Sequence, residues 1–235
     1  GPPRQHYTAG LLAAGNMFCS RAQAAIRTAG AENVILTCKT EAHTRAAAER
    51  LGCASGPAAE IVRSSRFVFL GVKPQMLSAL AEELGGVIGE AECVLVSMLA
   101  GVTLERLEAL FPGKRILRIM PNTPCAVGSG MLFLCRGSLA AEQDAEAFRQ
   151  LMACAGRIDE IPEKWMDAAS AVAGCGPAFA YMFVQALADG GVECGLPRAK
   201  ATEYAAQMLL GSAQMVFQPG AHPEKLKDDV CSPGG

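Results

Sequence analysis

The chain has 235 residues, a formal net charge of −2 at neutral pH and 51% hydrophobic residues. This length suits one large domain or two modest ones with a sizeable core. The small net charge, without a long charged block, argues against nucleic acid or an anionic membrane as the main partner. We find no stretch that approaches the roughly 20 uninterrupted apolar residues of a membrane-spanning helix.

Ten cysteines are scattered along the chain without a C-x-x-C pair. This pattern predicts free thiols in a reducing cytoplasm rather than a disulfide framework. Three histidines, His6, His43 and His222, stand far apart in the sequence, so no metal site is predicted.

Residues 7–15 predict a short strand that enters a tight turn over 10–15, followed by a helix over 16–29. Nucleotide-binding first turns carry small residues at fixed spacing, because the backbone there must approach the pyrophosphate closely. In the variant G-x-x-G-x-G, Gly10 and Gly15 match and Ala13 stands where a glycine is expected. A methyl group at Ala13 could crowd the phosphate. Taken alone, the pattern suits a plain strand–turn–helix equally well.

A second strand is predicted over residues 33–38, just before Lys39 and Thr40. In the NAD-type pattern an acidic residue at this point accepts a hydrogen bond from the ribose 2′-OH. No acid is present here, whereas a hydroxyl and a cation suit a 2′-phosphate. The sequence therefore predicts NADPH in preference to NADH, although Lys39 would also suit a solvated surface.

Further strands are predicted over 66–72, 93–97, 115–120, 128–135 and 157–161, with helices over 41–51, 106–110 and 139–155. Their alternation predicts a parallel, doubly wound sheet within residues 1–161. Several of these strands end in loops rich in Gly, Pro or Asn, which such sheets gather along one ligand-binding edge.

From residue 162 to 235 the sequence predicts helices only, over 163–172, 177–190, 197–217 and 223–229. Large apolar faces in so short a domain are expected to be buried against a second subunit. The chain stops at Ser232-Pro233-Gly234-Gly235, which predicts a loop with a further helix beyond it, so this domain looks truncated.

The motifs of the chain, taken in order, resemble those of the pyrroline-5-carboxylate reductase family. They are Gly15-Asn16-Met17, Val72-Lys73-Pro74-Gln75, Ala100-Gly101-Val102, Met120-Pro121-Asn122-Thr123-Pro124, Gly174-Cys175-Gly176-Pro177-Ala178-Phe179, and Leu226 through Ser232-Pro233-Gly234-Gly235. Each motif is weak alone, but the ordered set covers nearly the whole chain and is specific.

The resemblance implies a Rossmann domain followed by an all-helical dimerisation domain, assembled as a homodimer or a larger ring of dimers. It also implies NAD(P)H-dependent reduction of a small cyclic imine to L-proline. The implied cofactor-binding residues are Gly10, Ala13, Gly15, Asn16, Met17, Thr37, Lys39, Val72, Lys73, Pro74, Ala100, Gly101 and Asn122. The implied substrate-binding residues are Cys175, Gly176, Pro177, Ser232, Gly234 and Gly235. No catalytic side chain or metal is implied, because the cofactor carries the chemistry.

Cys175 and Phe179 depart from the family pattern, where a serine and a tyrosine supply two hydroxyls near the nicotinamide. Two alternatives stay open. One is a related NAD(P)H-dependent reductase of another imine or of a 3-hydroxy acid, and the other is a non-catalytic dinucleotide-binding homologue.

Overall fold

The computed structural model describes residues 7–13 and 23–234, which form two compact units. The first unit extends to Gly174 and the second begins at Cys175. The sequence-based boundary after residue 161 falls at the end of the last strand. The helical segment 163–174 that follows belongs to the first unit.

Eight strands within the described residues form one sheet in the order β3-β2-β1-β4-β5-β6-β7-β8. They are β1 Tyr7–Ala13, β2 Val34–Thr37, β3 Ala54–Ser55, β4 Ser65–Gly71, β5 Val94–Ser97, β6 Ile116–Met120, β7 Gly130–Arg136 and β8 Gly156–Glu160. The first six strands are parallel, which confirms the doubly wound core. Strand β7 pairs with β6 antiparallel, and β8 follows β7 in parallel. The expectation of a wholly parallel sheet is therefore wrong for this edge.

Helices connect the strands of the first unit. They are α1 Gln23–Ala29, α2 Glu41–Leu51, α3 Ala58–Ser64, α4 Leu77–Glu90, α5 Leu104–Leu110 and α6 Glu142–Leu151. A further short helix, α7 Met166–Ala169, follows the last strand. The sequence analysis missed α3 and the two-residue strand β3. It also predicted one regular helix over 163–172, where the structure has a 3-10 turn, α7 and then a π-helical turn over Ser170–Gly174.

The sheet is buried on both faces because its strands alternate between two apolar cores. Phe67 and Phe69 of β4 belong to the core that also contains Phe148 of α6. Val68 and Leu70 of the same strand belong to the opposite core, which α3, α4 and α5 cover. Both layers hold the strand ends in fixed register, which is what positions the loops described below.

The second unit consists of the helices α8 Gly176–Glu193, α9 Arg198–Val216 and α10 Pro223–Val230. Large apolar side chains on α8 remain exposed, with Phe179 at 68% and Met182 at 67%. By length and composition alone, the continuous helical stretch Glu163–Glu193 could cross a membrane, with a mean hydropathy of 1.4 in its most apolar window. The stretch is interrupted by polar residues such as Gln185 and Asp189, so it is not the uninterrupted apolar run that the sequence analysis looked for.

Candidate functional site

The carboxyl ends of the parallel strands meet at one edge of the sheet. One row of register crosses five neighbouring strands near this edge, formed by Thr37, Leu12, Leu70, Ser97 and Arg118. The chain winds in opposite directions on either side of the boundary between β1 and β4, so a crevice is expected outside these strand ends. The predicted cofactor residues just beyond the row are Ala13, Lys39, Val72, Lys73, Pro74, Ala100, Gly101 and Asn122.

Gly10 lies inside strand β1, opposite Ile35 and Val68, and not in a turn. A Cβ atom built at Gly10 would lie 2.3 Å from the Oγ of Ser65 and 2.5 Å from the Cγ2 of Ile61. The glycine is therefore needed because α3 and β4 pack closely against β1. The prediction that the turn begins at Gly10 is wrong, since the strand continues to Ala13. A contact between Gly10 and a cofactor stays a prediction.

The predicted residues Gly15, Asn16 and Met17 lie outside the described residues. Ala13 is the last residue of β1 and stands opposite Gly71 in the register.

A cavity of about 290 Å³ opens beside the carboxyl end of β2. Its polar lining includes Thr37 and Lys39 from the strand end, together with Glu83 from helix α4. Val72 also lines it, so the structure brings together three of the predicted cofactor residues. Its apolar walls are Leu12, Ala58, Met76, Ala79, Leu80 and Leu84.

The residues of this cavity fit the adenosine end of a dinucleotide. Apolar walls with a few placed polar groups are typical of small-molecule sites and suit a purine ring. The Lys39 ammonium and the Thr37 hydroxyl can both bond phosphate oxygens. Glu83 introduces a carboxylate that the sequence analysis did not anticipate, because α4 reaches the cavity only through the packing of the fold.

Two further loops follow β4 and β5 at the same edge. After β4, the carbonyl of Lys73 accepts a hydrogen bond from the Met76 N–H at 2.9 Å, and a 3-10 turn begins at Pro74. After β5, Gly101 adopts a φ of 73°, a left-handed conformation that favours glycine. Lys73, Pro74, Ala100 and Gly101 are all exposed, so these loops are accessible to a ligand.

Asn122, in the loop after β6, is engaged inside the protein. Its Nδ2 donates to the carbonyl of Ala173 at 3.0 Å, and its Oδ1 accepts from the Met131 N–H at 2.9 Å. The side chain thus ties this loop to β7 and to the π-helical turn that ends the first unit. These contacts indicate a structural anchor, and a direct cofactor contact of Asn122 stays a prediction.

An ion pair between a buried arginine and a half-buried glutamate joins β6 to the segment after β8. Arg118 is 4% exposed, and its guanidinium bonds the Glu163 carboxylate at 3.0 Å. The same carboxylate oxygen accepts a hydrogen bond from the Leu104 N–H at 2.8 Å, at the start of α5. Glu163 therefore holds together a strand, a helix N-terminus and the start of the long helical stretch. Sequence reasoning missed the pair, since 45 residues separate its members.

The thiol of Cys135 lies near this ion pair. Burial raises its pKa to about 11, with the Glu163 and Glu160 carboxylates adding to the rise and Arg118 opposing it. Its Sγ donates to the carbonyl of Ile161 at 3.3 Å. A thiol with this pKa is protonated at neutral pH, so Cys135 is not an activated nucleophile.

The predicted substrate residues lie in the second unit. Cys175 precedes helix α8, with Gly176 and Pro177 in its first turn. Ser232 and Gly234 follow α10 in the predicted loop, where Gly234 has a φ of 80°. Gly235 lies outside the described residues. Within the part of the chain that the structure describes, no group of three or more His, Cys, Asp or Glu side chains could hold a metal ion.

Comparisons with known proteins match both halves of the chain. A family model described as pyrroline-5-carboxylate reductase dimerisation matches residues 163–235. A second model, described as NADP oxidoreductase coenzyme F420-dependent, matches residues 8–101. The pyrroline-5-carboxylate reductase of Glycine max is 39% identical over 238 residues, covering 99% of this chain and 86% of that protein. Pyrroline-5-carboxylate reductase 3 of Xenopus laevis is 38% identical, covering 87% and 74%.

Solved structures agree with these matches. The crystal structure of Plasmodium falciparum pyrroline carboxylate reductase with NADP bound has a TM-score of 0.85 at 28% identity, covering 99% of this chain and 87% of that one. The 1-pyrroline-5-carboxylate reductase of Streptococcus pyogenes gives the same TM-score at 29% identity, covering 97% and 86%.

Proposed function

The chain belongs to the pyrroline-5-carboxylate reductase family, and from that premise we propose that it reduces 1-pyrroline-5-carboxylate to L-proline with NAD(P)H. The observation that carries this function is the relative of that name, which is 39% identical across 99% of the chain. The row of strand ends and the cavity at β2 supply a place for the dinucleotide in this chain's own residues.

When bound, the reduced nicotinamide supplies a hydride to the electrophilic carbon of a protonated imine. The residues of the first unit bind and orient the cofactor. Thr37 and Lys39 would hold the 2′-phosphate of the adenosine ribose, and the loops at Val72–Pro74 and Ala100–Gly101 would bind the ribose on the nicotinamide side. Their contribution to rate is orientation and electrostatics, because the chemistry needs no nucleophile from the protein.

The second unit binds the substrate. Backbone N–H groups of the loop at Ser232, Gly234 and Gly235 suit the carboxylate of the imine, since such groups bond an anion without a charged side chain. We assign Cys175, Gly176 and Pro177, at the start of α8, to the substrate as well. Cys175 there offers a weaker hydrogen-bond donor than a hydroxyl.

The protein is a homo-oligomer, as the match to a dimerisation model indicates. The exposed apolar face of α8 is the part of the surface that a second subunit covers, rather than a membrane or a nucleic acid. Dimers further assemble into a ring. Free buried thiols such as Cys93, Cys125 and Cys135 suit a reducing compartment, which favours the cytoplasm.

The assay that tests the function follows the loss of NADPH absorbance after addition of 1-pyrroline-5-carboxylate, with L-proline identified by chromatography. We expect turnover that depends on both cofactor and imine. A related cyclic imine with a six-membered ring and a 3-oxo acid, which is the oxidised form of a 3-hydroxy acid, serve as comparison substrates. Higher kcat/KM for either would favour the related-reductase alternative. Tight NADPH binding without turnover of any of them would favour the non-catalytic homologue.

Lys39→Glu is expected to weaken the preference for NADPH over NADH. The substitution replaces attraction to the 2′-phosphate by repulsion, so the ratio of kcat/KM for NADPH over NADH should fall about ten- to a hundredfold. The measurement is the ratio of kcat/KM for the two cofactors under identical conditions. Lys200→Glu, an exposed lysine of α9, makes the same charge change and should leave the ratio unaltered. An equal shift in both variants would show that overall charge, and not Lys39, sets the preference.

A further inference from the structure

The adenosine-side cavity contains an acid that strand β2 itself lacks. In an NAD-type site, a carboxylate at the end of this strand accepts a hydrogen bond from the ribose 2′-OH. The sequence has only Lys39 and Thr40 at this position. In the folded chain, Glu83 of helix α4 lines the same cavity as Lys39 and Thr37. The acid is supplied from a distant part of the sequence.

We propose that Glu83 determines cofactor specificity by making this cavity suitable for NADH as well as NADPH, an inference that rests on the proposed function. The carboxylate of Glu83 accepts the hydrogen bond that the 2′-OH of NADH donates. Lys39 pairs with the 2′-phosphate of NADPH. Glu83 therefore favours NADH and Lys39 favours NADPH within the same cavity.

The charges of Lys39 and Glu83 are not neutralised by ion pairs within the described structure. Among residues 7–13 and 23–234, neither Lys39 nor Glu83 makes an ion pair or hydrogen bond with another side chain. Both are exposed, so water screens them and the contribution of each to binding is moderate. A carboxylate near a phosphate is unfavourable, so Glu83 lowers affinity for NADPH as it raises affinity for NADH.

The neighbouring residue Glu82 provides a matched control. It has the same charge, lies on the same helix and is exposed, but it does not line the cavity. Consecutive residues of an α-helix point about 100° apart, which explains why only one of the two faces the site. Glu83→Gln and Glu82→Gln therefore change the net charge equally and differ only in what happens inside the cavity.

The experiment measures dissociation constants of NADPH and NADH for the full chain and for both variants by titration calorimetry. Adenosine 2′,5′-bisphosphate and 5′-AMP serve as additional probes, because they contain the adenosine end alone. For Glu83→Gln we expect the ratio of the NADH to the NADPH dissociation constant to rise about tenfold. The two adenosine probes should show a shift in the same direction. Glu82→Gln should leave the ratio within about twofold of the unmodified chain.

An unchanged ratio in Glu83→Gln, or an equal change in Glu82→Gln, would overturn the role of Glu83 while leaving the reductase function intact. A shift with the dinucleotides but not with the adenosine probes would also overturn it, because the effect would then lie outside the cavity. If the unmodified chain binds neither dinucleotide, the proposed function fails together with the inference.

Discussion

Glu163→Ala should lower the free energy of unfolding of the first unit by about 3–5 kcal/mol. The substitution leaves the Arg118 guanidinium buried without its carboxylate, and one buried nitrogen of that side chain, Nε, already has no partner within the described structure. It also removes the acceptor of the Leu104 N–H at the start of α5. Both losses leave buried polar groups without a hydrogen-bond partner. This costs more folding free energy than the intact pair contributes.

Chemical denaturation, followed by circular dichroism, measures this effect. Glu163→Gln separates its two parts, because the amide oxygen still accepts from the Leu104 N–H while the charge is lost, so we expect an intermediate destabilisation. Glu146→Ala is the control. Glu146 forms an exposed pair with Arg149 at 3.4 Å, and its loss should cost less than about 1 kcal/mol. Equal values for Glu163→Ala and Glu146→Ala would contradict the role assigned to the buried pair.

Phe148→Ala should destabilise the first unit by a similar amount, about 3–5 kcal/mol. The ring of Phe148 is fully buried between α6 and the sheet, with its centroid 6.1 Å from that of Phe67 and 6.2 Å from that of Phe69. Truncation loses the apolar burial and two aromatic contacts, and it leaves a cavity that the rigid sheet cannot fill.

The same denaturation measurement applies to two further variants. Phe148→Leu keeps most of the buried volume and should cost clearly less than Phe148→Ala. Leu139→Ala truncates a side chain that is 56% exposed, so the free energy of unfolding should change by less than about 0.5 kcal/mol. A small loss of stability in Phe148→Ala would mean that this core collapses around the missing ring, and that α6 contributes little to holding the sheet.

The proposed role of Glu83 changes how cofactor preference is understood for this chain. The sequence indicated that residues at the end of β2 set the cofactor preference, and it predicted NADPH. The structure adds a residue of opposite charge to the same cavity, so the preference becomes a balance between Lys39 and Glu83. Lys39→Glu and Glu83→Gln are expected to move the cofactor ratio in opposite directions, and together they test the two sides of that balance.

Local features of the fold could be predicted from the sequence because their signals lie within a few residues. Thr40 accepts a hydrogen bond from the His43 N–H at the start of α2, and Gly52 ends that helix in the left-handed conformation. Thr103 caps α5 in the same way, by accepting a hydrogen bond from the Arg106 N–H. The alternation of apolar strands with helices predicted the doubly wound sheet, since parallel strands require such crossovers.

Other features depend on which residues meet in space. The sequence does not encode locally that β7 pairs antiparallel with β6, because a strand's direction depends on how its connection crosses the sheet. The anchoring of Ala173 by Asn122 spans 51 residues, and the Arg118–Glu163 pair spans 45. Gly10 looked like a turn residue, and only the approach of Ser65 and Ile61 shows that its small size serves packing.

The sequence by itself determined the family motifs, the strand ends and most helix boundaries, because propensity, capping and hydrophobic period act over short distances. Only the tertiary structure decided what those strand ends face. The cavity at β2 takes its lining from β1, β2, α3, the loop after β4 and α4, and the acid within it comes from the last of these. A binding site made from several elements depends on their packing, which no single stretch of sequence contains.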